Sequence, residues 1–135
     1  MKPYYIFIVL LALLGGCEKE SGAPSTAVTQ ANIIQLNDSS SIKLQGNHIK
    51  SHKKNNEKGY LVMHEFSYPT VDKVAENDLY GALKKNGYNR KVVANDVTKF
   101  KVHYYKKSSP TIGAIFTTQT EDTQYKTIAS IYWQE

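Results

Sequence analysis

The side chains that could do chemistry are few and scattered. Histidines stand at 48, 52, 64 and 103. His48 and His52 are four apart, which on a helix would put both imidazoles on one face, the spacing used by zinc-binding helices. Gly46, Asn47, Ser51 and the Asn55-Asn56 pair oppose a helix there, and no third ligand follows at metal spacing. No metal site is expected. Hydrolytic chemistry needs a nucleophile with a base in reach. The chain has no Gly-x-Ser-x-Gly, and none of its histidines lies in a recognisable nucleophile motif. Glu65, Glu76, Asp78, Asp96, Glu121 and Asp122 could in principle supply a glycosidic carboxylate pair, but nothing in their spacing selects two. A phosphate loop, a dinucleotide fingerprint and an EF-hand loop are all missing from the sequence. The expectation is a non-enzyme with no catalytic residue and no cofactor. His64 reads as a sheet residue with a local hydrogen bond and His103 as a solvated one.

One further reactive group remains, the lone thiol of Cys17. Ahead of it, Lys2 precedes an apolar run from Tyr4 to Leu14, then Gly15 and Gly16. A positive start, a short apolar stretch and small residues at the cut are the layout of a secretory signal. The run has 11 residues, whereas a spanning helix takes about 20. Leu14-Gly15-Gly16-Cys17 resembles the lipobox of bacterial lipoproteins: an aliphatic residue, two small ones, then the lipidated Cys. The resemblance covers the signal alone. It implies cleavage before Cys17, diacylglycerol on the thiol, and two or three acyl chains (palmitate among them) on the mature protein. One chain binds a membrane marginally, at about 0.8 kcal/mol per buried methylene, whereas two or more hold. Glu18, rather than Asp, after the Cys implies the outer membrane facing the periplasm in a Gram-negative host. A single Cys also permits no internal disulfide, so the exported domain must stand on its core.

The expected organisation is a signal peptide over 1–16, a lipidated flexible tether over 17–31, an uncertain region over 32–58 and an α+β domain over 59–135. Residues 18–31 are small and polar with no apolar period, too poor in apolar surface to order themselves. Ile33–Leu36 and Ile42–Leu44 suit two short strands around Asn37–Ser41, or a short helix near Ala31–Leu36; short apolar runs do not distinguish the two. Lys50, His52, Lys53, Lys54, Asn55, Asn56 and Lys58 read as a basic solvated loop.

From Gly59 to Tyr68 apolar groups fall on both faces, the mark of a central strand. A helix is expected to about Asn86, capped by Thr70, with Asp72 at the positive end of its dipole. Its stripe is Val71, Val74, Ala75, Leu79, Ala82 and Leu83, with Lys73, Glu76, Asn77, Lys84 and Lys85 mostly off it. Gly87 and Tyr88 suit a Schellman stop against Leu83. Gly81 costs about 1 kcal/mol relative to Ala and suggests a close approach to the sheet. Strands are expected at Arg90–Ala94, Thr98–Lys106, Thr111–Gln119 and Tyr125–Trp133. The order β-α-β-β-β predicts a small antiparallel meander with one helix packed across it.

Composition bounds the partner. Without Lys2, 16 basic residues face 12 acidic ones, a net charge of about +4, a mild basic balance that suits an acidic protein or an anionic envelope surface. Ten Tyr against four Phe and one Trp suit half-wet sheet faces. Lys50, Lys53 and Lys54, with Lys99, Lys101, His103, Tyr105 and Lys106, are the candidate contacts. The second group superficially suits single-stranded nucleic acid, but export opposes that, and lysines equally suit an edge strand. The expected function is a lipid-anchored periplasmic binding protein, an inhibitor or immunity-type protein. The alternative is a structural or assembly accessory lipoprotein of an envelope complex, pilotin-like. Both rest on class analogy.

Overall fold

The computed structural model describes residues 32–135. The expected signal peptide, the expected lipidation position Cys17 and the expected tether lie outside the described residues. The elements run β1 (Ile33–Gln35), β2 (Ser41–Lys43), β3 (Asn47–Asn56), β4 (Gly59–Tyr68), α1 (Asp72–Lys85), β5 (Asn89–Asn95), β6 (Phe100–Tyr105), β7 (Ile112–Glu121) and β8 (Gln124–Gln134). β1 and β2 pair as a small hairpin. The other six strands form one antiparallel sheet in the order β3-β4-β8-β7-β6-β5. α1 carries the chain from β4 to the far strand β5, and the meander β5 to β8 returns it to β4. The α+β class is therefore seen, with more sheet than expected.

Alternation decides which side is core. Phe100, Val102 and Tyr104 on β6, Ile112, Ala114 and Phe116 on β7, and Ala129, Ile131 and Trp133 on β8 are buried on one side. Ala75, Leu79 and Leu83 of α1 join the same cluster, as do Ile34, Leu36, Ile42 and Leu44 from the small hairpin. The core thus draws on both sides of residue 59. Trp133 Nε1 donates to Asn37 Oδ1 at 3.0 Å, pinning the β1–β2 turn over the sheet.

Four local expectations are corrected. The basic segment 50–58 is no loop: most of it is β3, paired along β4. It lacks apolar alternation because it is an outermost strand with almost every residue exposed, so its strand geometry comes from the β4 ladder. Val71, not Thr70, precedes α1, without a side-chain cap; the Thr70 carbonyl instead accepts from Thr127 Oγ1 at 2.6 Å. Gly81 faces open space, and an added Cβ would meet nothing within 4 Å. β6 is an interior strand, bonded on both sides, so its lysines guard no edge. The Schellman stop forms as expected: Tyr88 N–H donates to Leu83 O at 3.2 Å and Gly87 N–H to Lys84 O at 3.0 Å.

Glu76, placed off the apolar stripe, is 2% exposed while Val74 is 53% exposed. Its carboxylate accepts Arg90 Nε at 3.0 Å, Arg90 Nη2 at 3.1 Å and the Tyr104 hydroxyl at 2.9 Å. A bidentate guanidinium and a phenol satisfy the buried charge. Burial first, then the adjacent carboxylate, push the Tyr104 phenol far above its ordinary range. A parallel tie joins α1 to the chain after β2, where Asp78 Oδ2 accepts Gln45 N–H and the Tyr68 hydroxyl, each at 2.8 Å.

The sheet also bulges twice, between His48 and Lys50 on β3 and between Val92 and Ala94 on β5.

Candidate functional site: the open face of the sheet

Helix and hairpin cover one side of the sheet; the alternate residues point to the other. Strand register assembles that open side row by row. His52, Met63, Tyr132, Gly113, His103 and Lys91 lie across it in one line. Lys50, Glu65, Ser130, Ile115, Lys101 and Ala94 form the next. Leu61 and Ile128 extend the middle along β4 and β8. Leu61, Met63, Ile115, Ile128 and Tyr132 are all part-exposed, a continuous apolar strip with no described element above it.

Tyr132 explains Gly113. A Cβ at Gly113 would lie 2.3 Å from the Tyr132 ring, so the ring rests directly on the glycine backbone across the β7–β8 pair. An aromatic laid over a cross-strand glycine covers the backbone and keeps the sheet surface level. The result is a flat aromatic patch rather than a pit. Among the described residues the main clefts elsewhere are small or open to solvent. One of about 210 Å³ lies beside Tyr68 and Tyr125, and one of about 530 Å³ is lined by Asn56, Glu57, Lys58 and Gln134 at the tip of β3 and β4. A cleft holds a small molecule by enclosing most of its surface, and the second, at the strand tips, lies open to solvent.

The charges on this face are one-sided. Lys50, Lys54, Lys91, Lys101 and Lys126 point to it by register, against Glu65 and, at its far end, Glu121. Glu65 is held by Lys50 at 3.3 Å. His103 sits among these lysines; burial, then Lys101 and Lys91, lower its pKa below the usual imidazole value. Its Nδ1 lies 3.2 Å from the Tyr105 hydroxyl.

Of the residues singled out from sequence, Lys50, Lys54, Lys101, His103 and Tyr105 meet on the open face. They form two margins rather than one patch: β3 and β6 are four strands apart, about 19 Å at the usual strand spacing, with the apolar strip between them. Lys99 stands in the turn before β6. Lys53 and Lys106 lie on the helix side and are engaged. Lys53 pairs with Glu135 and sits 4.6 Å from the Tyr60 ring centre, and Lys106 pairs with Asp38 in the β1–β2 turn. That pairing, with the Ser40 hydrogen bonds, holds the Asp38 carboxyl down at about 2. The apolar strip itself was not singled out, because its residues come from β4, β7 and β8 and only register unites them.

No helix among the described residues is long and apolar enough to cross a membrane. Comparison with protein-family models, with curated proteins and with solved structures finds no match.

Proposed function

We propose that the chain is a lipid-anchored envelope protein whose open sheet face binds an acidic protein, in the manner of an inhibitor or immunity-type protein. The observation that carries this reading is the uncovered strip Leu61–Met63–Tyr132–Ile115–Ile128 with lysines on both margins outnumbering the two acids, of which Glu65 is paired with Lys50. An apolar centre inside a charged rim is the usual anatomy of a protein interface, and exposed contiguous apolar surface on a small domain signals a partner. The lysines would steer an acidic partner and reject a basic one. The anchor is supported by Leu14–Cys17 and implies a periplasmic face at the outer membrane.

Site-specific photocrosslinking in intact cells tests the face. A crosslinker at Ile115 should capture an acidic protein, and Lys50→Glu with Lys101→Glu should remove that capture. Lys84→Glu with Lys85→Glu, on the exposed helix end, should leave it intact. Capture from Val74 on the helix but not from Ile115 would sink the reading. Labelled palmitate entering the wild type, but not Cys17→Ser, tests the anchor separately.

A further inference from the structure

On the helix side of β3 and β4, beyond the covered core, three polar side chains converge. The bulge after His48 reverses the alternation of β3, so His48 and Ser51 both point to this side while Lys50 and His52 point to the open face. Ser51 lies directly across from His64 on β4. His48 Nε2 is 2.7 Å from Ser51 Oγ, and Ser51 Oγ is 2.6 Å from His64 Nδ1. Two imidazole nitrogens from different strands are therefore aimed at one exposed point.

We propose that His48 and His64 form a binding site for a borderline divalent transition-metal ion, copper(II) most tightly, with Ser51 at its mouth. A hydroxyl has one proton, so Ser51 donates to one ring and accepts an N–H from the other. Moving that ring proton to its far nitrogen and rotating Ser51 aside turns both lone pairs inward. Among the described residues neither far nitrogen is held by a hydrogen bond that would oppose this tautomer. The rings are already oriented. His64 stacks on Trp133 with centroids 5.3 Å apart and 30° between planes, and His48 meets Phe66 edge-on, also at 5.3 Å. Burial, with smaller contributions from His48 and His52, lowers the His64 pKa below the usual imidazole value, the direction that favours the neutral form in which a ring ligates.

The donor set selects the ion. Among the described residues no three His, Cys, Asp or Glu side chains converge, so water completes the coordination. Two imidazoles without a carboxylate do not suit calcium or magnesium, which take oxygen ligands. Imidazole suits zinc, nickel and copper, and affinity peaks at copper(II) along the divalent series. With two protein ligands, binding is modest and reversible. This site is independent of the open face: it lies on the other side of the sheet and needs no partner.

The test uses copper(II) and the full chain carrying Cys17→Ser, which removes the competing thiol. Titration should give one copper(II) per chain, with electron spin resonance showing two equivalent-class nitrogens. His64→Gln and His48→Gln should each weaken binding at least tenfold. His52→Gln, on the opposite face, should leave it within twofold, and Ser51→Ala should retain it. Unfolding curves taken alongside verify that each variant is folded. Unchanged affinity in folded His64→Gln, or equal loss in His52→Gln, would overturn the proposal, as would a single-nitrogen spectrum.

Discussion

The helix-side face and the open face are built from the same strands, residue by alternating residue, and differ in every other respect. Under α1 and the small hairpin, Phe66, Val102, Tyr104, Ala114 and Phe116 are sealed from water, and the one buried carboxylate, Glu76, has every contact a charge requires. Across the sheet, Met63, Ile115, Ile128 and Tyr132 are of similar type but only part-covered, ringed by lysines that outnumber the acids Glu65 and Glu121. The covered face has its apolar surface matched by elements of the same chain. Among the described residues the open face has no such match. An apolar surface that the described residues leave uncovered is what the proposed partner would bury.

That contrast can be broken or sharpened by substitution. The largest effect is expected from Phe116→Ala, which empties a sealed site and should cost about 3–5 kcal/mol in denaturant unfolding. Glu76→Ala strands the Arg90 guanidinium and the Tyr104 hydroxyl, and should cost about 3 kcal/mol. Because the Arg90 side chain is 34% exposed, water relieves part of that loss, and a cost equal to Phe116→Ala would show that the pair is drier than its geometry indicates. Gly81→Ala, on the open side of α1, should add about 1 kcal/mol of stability. A loss instead would mean that something packs there. Ile115→Thr, on the open face, should stay within about 0.5 kcal/mol in the same unfolding measurement; a cost near that of Phe116→Ala would erase the distinction between the faces. The smallest effect is a slope with pH. His64 has a depressed pKa in the folded chain, so the unfolded chain binds its proton first as pH drops below about 6.5. Stability should be full above that pH and decline below it, down through the folded value, and His64→Gln should flatten this decline in a pH series of melting temperatures.

What was legible in the sequence was local or strictly periodic. The Leu83–Gly87–Tyr88 stop needs only six residues to form, and it formed. The alternation of Phe100, Val102 and Tyr104 against Lys101 and His103 marked core from solvent because β6 lies inside the sheet with one wet side. What was illegible depended on distant residues. β3 carries no apolar pattern, since both its sides are wet, and its conformation comes from pairing with β4. Glu76 looked like a surface residue of α1 because its partners, Arg90 and Tyr104, arrive 14 and 28 residues later. His48 and His52 pair only by helical spacing. In a strand with one inserted residue they point opposite ways, and His48 meets His64 instead.

That inserted residue, Ile49, has a counterpart at Val93 on β5, so both outermost strands of the sheet are kinked. An exposed strand of ten residues is a template on which further chains can add, ribbon upon ribbon, into a fibre. A kink at each margin interrupts the regular run of donors and acceptors that such growth copies. Under the proposed lipid anchor, which would concentrate molecules on a two-dimensional surface, they would collide at their margins continually, and the two irregularities would let them part again.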